Sequence, residues 1–467
     1  MASISFFGGV GTVTGSKYLI ESGKTKVLVD CGLFQGVKEL RNRNWQELPF
    51  DPSSLTSVLL THAHIDHSGY LPRLVKEGYK GPIYCSSGTA DILRVVLPDA
   101  GRLQEEEADY RNRHNLTRHE TAKPLFDEQD AYIALKQIEV LRGEGVPRNI
   151  APGINVNLYN AGHILGSRFA LVEVEGAGND HSGRTILFSG DIGQLDTPIL
   201  KDPSAPPICD YLLVESTYGD RLHAAVDPKE QLASVIHKAI ERGGPILIPA
   251  FAVGRTQDLI YILRELENEK RIPILPVRVD SPMAAAATTA YRQHREEHDK
   301  ETEALVERHI QPLATHNMAI TATREKSKHL NNETGVRILI SASGMMTGGR
   351  VLHHAQRILP DPKATIVFCG YQSVGTTGRR ILDGEKVVRL MRQDTPVLCH
   401  VESIEGFSAH ADWQGVLRWL EGMPGSPREV FITHGEGDAA ISMAQHITDK
   451  FHWNTSIPKY ADKFEIE

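Results

Sequence analysis

The chain has 467 residues, 40% of them hydrophobic and 24% charged, with a formal net charge of -8. That length suits two domains with ordinary cores, and the charge excludes a polycation that grips nucleic acid over its whole surface. The five cysteines (Cys31, Cys85, Cys209, Cys369 and Cys399) form no Cys-x-x-Cys pair, which excludes a disulfide framework and points to a reducing compartment.

In chain order, Ile4–Phe7, Tyr18–Ile20, Val27–Asp30 and Val58–Thr61 read as strands between turn residues. Apolar spacing near three and four predicts helices over Leu71–Glu77 and Ala90–Leu97, and the charged Leu103–His119 reads as a separate exposed helix. Further strands follow at Ile83–Cys85, Val156–Tyr159, Phe169–Val174, Thr185–Ser189 and Tyr211–Val214.

From Pro228 the rhythm alternates strand and helix, as a parallel sheet covered by helices requires. The strands are Ile246–Pro249, Ile274–Val279, Arg337–Ser341 and Thr365–Cys369; the helices are Leu232–Ile240, Thr256–Leu266, Met283–Arg295 and Val351–Leu359. The polar stretch Glu297–Thr334 shows no clear period. After about Pro396 the first pattern returns, with strands Val397–Glu402 and Val430–Thr433 and helices Trp413–Leu420 and Ala440–Thr448. The simplest parse is a β-rich domain (1–215 and 396–467) split by an inserted α/β domain (216–395). No signal peptide or transmembrane span is visible, so a cytoplasmic location is expected.

The strongest local feature is His62-Ala63-His64-Ile65-Asp66-His67, directly after a strand. Three imidazoles and a carboxylate within six residues suit first-row divalent metals, zinc above all. His62 and His64 can point the same way and share one ion, while Asp66 and His67, further round the turn, can reach a second. A second ion needs more ligands, and His163, Asp191 and His434 each lie just past an apolar strand and beside a glycine.

With these come Glu215 in Val214-Glu215-Ser216-Thr217, His410 in Ser408-Ala409-His410-Ala411-Asp412, and His434 in Thr433-His434-Gly435. Pro249–Arg255, Ser341–Met345 and Gly370–Arg379 also match. Together the motifs resemble the metallo-β-lactamase superfamily, and within it the β-CASP RNA-processing nucleases. The resemblance runs through almost the whole chain. It implies an αββα sandwich with an inserted α/β (β-CASP) domain and a catalytic groove between them.

It also implies roles. His62, His64 and His163 would hold one zinc ion, Asp66, His67 and His434 a second, and Asp191 would bridge them, although imidazole and carboxylate also accept manganese or iron. Asp30 would orient a ligand. His410 would be the general acid and Glu215 would hold its ring. Two-metal hydrolysis of RNA would leave 5′-phosphate and 3′-hydroxyl ends.

Three glycine-arginine helix starts, at Arg255, Arg350 and Arg379, are candidates for substrate phosphate. The resemblance also implies RNA over DNA, because the family's RNA-acting members carry histidine at the position of His434, and single-stranded RNA is the expected partner. The resemblance to compact cleavage factors favours an endonuclease, with 5′-exonuclease activity and a homodimer left open. A small-substrate hydrolase would need neither Glu215, His410 nor the insertion. A non-catalytic RNA-binding scaffold would lack ligands that are all present here.

Overall fold

The computed structural model describes residues 2–114, 116, 121–178, 182–223, 226–373 and 375–467. The chain divides into two compact units: Met1–Asp196 with Asp202–Leu222 and His410–Glu467, and Thr197–Lys201 with His223–Ala409.

The first unit holds two seven-stranded sheets. One runs, in spatial order, Lys463–Ile466, Ala2–Gly8, Lys17–Ser22, Thr25–Val29, Ser57–Leu59, Ile83–Cys85 and Ile138–Val140. The other runs Thr455–Ser456, Glu429–Thr433, Tyr211–Glu215, Arg184–Phe188, Arg168–Val174, Ile154–Asn160 and Arg148–Ala151. The last residues of the chain complete both. Lys463–Ile466 pairs antiparallel with Ala2–Gly8, and Glu429–Thr433 pairs parallel with Tyr211–Glu215.

Period-two alternation explains the layers. In the fully buried strand Tyr211–Glu215, Tyr211 and Leu213 enter a core with Phe6, Ile20, Val29, Val172 and Ile186 of the two sheets. Leu212 and Val214 point the other way. They pack with Val416, Trp419, Met443 and Ile447 of helices Trp413–Leu420 and Gly437–Phe451. This is the sandwich of the metallo-β-lactamase fold: strands buried on both faces, with helices outside.

One helix differs from its sequence expectation. Ala90–Leu97 and Leu103–His119 are a single helix, Ser87–Arg113, that continues through Pro98; residues 115 and 117–119 of the expected segment lie outside the described residues. Proline removes one backbone hydrogen bond and crowds the preceding turn. Packing on both sides of it outweighs that cost: Ile92, Leu93, Val96, Leu97 and Pro98 are buried. At Gly101 a Cβ would lie 2.7 Å from the Asp127 backbone, so the helix is held closely there. Ser86 caps its start by accepting from the Thr89 amide.

The second unit is a six-stranded parallel sheet in the order Met318–Ile320, Val277–Asp280, Ile338–Ser341, Ile246–Pro249, Thr365–Phe368 and His400–Ser403. The unpatterned polar stretch supplies its edge strand Met318–Ile320 and helices Lys300–Glu307 and Arg324–Leu330. The expected return of the first pattern at Val397–Glu402 is corrected. The strand forms as His400–Ser403 and pairs with Thr365–Phe368, inside this second sheet. A short apolar run carries no mark of which sheet it will join. All five cysteines are buried and unbonded. Among the described residues, no helix is long and apolar enough to cross a membrane.

Candidate metal centre

His62 and His64 follow the strand Ser57–Leu59, and a one-turn helix, Ile65–Ser68, carries Asp66 and His67, whose ring lies 4.2 Å from that of His62. Ser16, just before the strand Lys17–Ser22, and the loop after Thr25–Val29 together clamp that turn. Ser16 N–H donates to Asp66 O (2.9 Å), Cys31 N–H to His67 O (2.7 Å) and Leu33 N–H to Ile65 O (2.9 Å). A Cβ on Gly32 would lie 1.6 Å from Asp66 O, so only glycine allows the clamp to close.

Potential ligand atoms of His62, His64, His163 and Asp191 lie within 4.8 Å of one another, as do those of Asp66, His67 and His434. A third trio, Asp191, Glu215 and His434, meets the same limit. Asp191 stands between the first two groups. Its Oδ2 is 3.3 Å from His62 Nε2 and 3.5 Å from His163 Nε2; its Oδ1 is 3.2 Å from His67 Nε2 and 3.6 Å from His434 Nδ1. His67 Nε2 and His434 Nε2 approach to 2.9 Å, and His64 Nδ1 and His163 Nε2 to 3.1 Å.

The donor set fits divalent metal ions. Both carboxylate oxygens of Asp191 and the Nε2 of His62 are buried without a hydrogen-bond partner. Buried polar atoms left unpaired are costly, and these three converge on one place. Burial lowers the pKa of His62, pushes His64 down to about 3 and holds His163 well below its usual value, which leaves them as neutral donors. Burial works to raise Asp66 and Asp191. The facing histidines outweigh it, His434 first in both cases, and hold both carboxyls low and ionised. At His67 burial is likewise outweighed, by Asp191 and Asp30, and the imidazole is raised well above its usual value.

Asp30 touches no other member of the two groups but His67. Its Oδ2 bonds His67 Nδ1 at 2.8 Å, and its Oδ1 accepts from the Thr61 amide at 2.8 Å. It sits at φ 58, as His434 does at φ 49, in the left-handed region that non-glycine residues seldom adopt. Glu215 Oε2 lies 3.0 Å from His410 Nδ1, while its Oε1 accepts from the Ile192 amide at 2.6 Å.

The sequence reading gave no role to two residues that bind the site together. Thr61 Oγ1 bonds Asp30 Oδ2 at 2.9 Å and His62 Nδ1 at 3.1 Å. Thr217 Oγ1 donates to Glu215 Oε2 at 2.6 Å and lies 3.0 Å from His434 Nδ1. Adjacency was the only signal: each hydroxyl stands within two residues of a ligand or of Glu215.

The three arginines belong to the second unit. Arg255 is paired with Asp258 at 3.3 Å and its side chain is 10% exposed. Arg350 donates to Asp280, Thr321 O and Ala322 O, so much of its guanidinium is committed internally. Arg379 pairs with Asp383 but keeps 42% of its side chain exposed, the most of the three.

Residues 10–148 match the metallo-beta-lactamase superfamily, 256–381 the Beta-Casp domain and 394–458 the Zn-dependent metallo-hydrolase RNA specificity domain. Ribonuclease TTHA0252 of Thermus thermophilus is 35% identical over 94% of each chain. The chain belongs to the β-CASP nucleases of the metallo-β-lactamase superfamily. An RNase J-like protein of Methanocaldococcus jannaschii is 30% identical over 98% of both chains. Transcription termination factor FttA of the same organism is 29% identical over 99% of this chain and 72% of its own. A solved structure of a protein of unknown function from Enterococcus faecalis V583 aligns over the whole of both chains with TM-score 0.55 at 13% identity, a likeness of fold. The family is that of metal-dependent hydrolases, and the clustered histidines and aspartates are the part of this chain that suits a metal.

Proposed function

We propose that the protein is a zinc-dependent endoribonuclease, with 5′-exonuclease activity as a second mode, that cuts single-stranded RNA to 5′-phosphate and 3′-hydroxyl ends in the cytoplasm. The observation that carries this reading is the unpaired carboxylate of Asp191, ringed by four histidines beside a histidine–glutamate pair. The relatives named as a ribonuclease and as RNase J-like support RNA as the polymer.

In this reading His62, His64 and His163 hold one zinc ion, Asp66, His67 and His434 another, and Asp191 serves both. Two such ions, when bound, activate water and neutralise charge on the phosphate. The chain itself handles the proton. Burial works to lower the pKa of His410, but the carboxylates of Glu215 and Asp191 outweigh it and push it up to about 9. In the metal-free chain the imidazole therefore carries its proton at neutral pH, with Glu215 the larger cause. With Nδ1 on Glu215, Nε2 is the nitrogen that delivers a proton to the leaving 3′-oxygen. Thr217 and the Ile192 amide fix Glu215, and so fix the ring. Arg255, Arg350 and Arg379 are the candidates for substrate phosphate, and Arg379 is the most exposed of them.

The test offers end-labelled single-stranded RNA and DNA of one sequence to zinc-loaded protein. Internal RNA cuts, absent from His62→Ala/His64→Ala, are expected. His410→Ala lowers kcat about 10²–10⁴-fold with metal content unchanged. Cleavage of neither polymer by metal-loaded protein would sink the reading in favour of a small-substrate hydrolase or a binding role.

A further inference from the structure

The second unit has six aromatic side chains, and they divide sharply. Tyr261, Tyr291, Phe368 and Phe407 are buried, whereas Phe251 is 48% exposed and Tyr371 51% exposed. The two exposed rings are not scattered. Phe251 lies just past the carboxyl end of Ile246–Pro249, and Tyr371 just past the carboxyl end of Thr365–Phe368. Those strands are neighbours, in parallel register from Ile246↔Thr365.

The loop after Ile338–Ser341 ties the two positions together. Gln372, next to Tyr371, donates from Nε2 to Gly344 O at 3.1 Å. A Cβ at Gly344 would lie 3.2 Å from the Phe251 amide nitrogen and 3.3 Å from its ring. Both rings therefore stand on one rim of the sheet, at the side where open parallel sheets bind ligands. Ile246–Pro249 is the first strand of this sheet in the chain, with later strands added on either side of it, so the strand order reverses there.

Burying a phenylalanine stabilises a fold, and here two adjacent aromatic rings stay out of the core. Helices Arg255–Asn268 and Arg350–Ile358 start at the same rim behind Gly254 and Gly349, with no side-chain cap. Their positive ends and the part-exposed Arg379 suit a partner that is both flat-ringed and anionic.

We propose that Phe251 and Tyr371 form a stacking platform for unpaired bases of the RNA substrate and so select single strands over duplexes. The proposal rests on the ribonuclease reading above. Aromatic faces accept any exposed base, while a base inside a duplex offers no free face. The platform is a specificity device and takes no part in the proton transfer.

The test uses metal-loaded protein and a short single-stranded RNA carrying 2-aminopurine at one position at a time. On a His410→Ala background, which keeps the strand whole, fluorescence is quenched at one or two positions. Phe251→Leu/Tyr371→Leu abolishes that quenching, and in the otherwise unaltered protein it raises KM for single-stranded RNA about tenfold or more with kcat unchanged. Phe251→Trp/Tyr371→Trp keeps the quenching and the low KM, which a merely structural role would not require. If the parent cleaves RNA but the leucine variant quenches and binds as well as it does, the platform falls and the nuclease reading stands. If the parent cleaves no RNA, both fall together.

Discussion

Two of the buried carboxylates that face histidine, Asp191 in the first unit and Asp280 in the second, are built in opposite ways. Asp280 is fully satisfied. Its oxygens accept from Arg350 Nη1 at 2.7 Å, His354 Nε2 at 2.6 Å and Ser327 Oγ at 2.6 Å. Asp191 is as deeply buried, with histidine nitrogens at 3.2–3.6 Å, yet neither oxygen has a hydrogen-bond partner. The same residue types at similar burial therefore serve two ends. A closed network fixes a sheet edge to its helices, and an open one keeps donor atoms for a cation.

Three experiments break or sharpen that contrast. Asp191→Asn is expected to abolish RNA cleavage, while the metal-stripped variant loses the charge interaction with the facing histidines but no hydrogen bond, and so is destabilised less in denaturant than the Asp280→Ala variant. Asp280→Ala should do the reverse. It leaves the Arg350 and His354 donors without their carboxylate and costs about 3–5 kcal/mol of stability, with metal content unchanged. Equal destabilisation by both would make the Asp191 cluster a structural network and remove its claim to a metal.

The smallest effect belongs to an intermediate case. Lys17 is buried, with carbonyls of Gly15 and Gly32 and the rings of Phe34 and Tyr70 for company. Burial pushes its pKa down from 10.5 to about 8. Between those values the unfolded chain binds the proton and the folded chain releases it, so stability should rise with pH from about 8 to 10.5. The full change is about 3 kcal/mol by linkage. Lys17→Met should flatten that slope in denaturant melts taken across the window; an unchanged slope would show that the ammonium is not what titrates.

Much of this was legible in the residues. The six-residue histidine run, the glycine beside each lone candidate ligand and the switch from short strands to strand–helix alternation all carry local chemistry, and local chemistry survives in sequence. The helix Ser87–Arg113 read as two because no local pattern shows the packing that carries a helix through Pro98. Val397–Glu402 misled because strand patterning says which face is apolar and not which sheet is joined. Arg350 stands beside its glycines in the sequence, and only the structure shows that Asp280, seventy positions away, holds its guanidinium.

By itself, then, the sequence marked side chains with metal-ligand chemistry and roughly where most strands lie, since both depend on neighbours a few residues apart. Only the tertiary structure decided that His62, His163 and His434 converge on Asp191, and that Thr61 and Thr217 brace them. It alone showed that Asp280 is closed while Asp191 is open. Hydrogen-bond satisfaction is a property of atoms brought together from distant strands, and no local pattern records it.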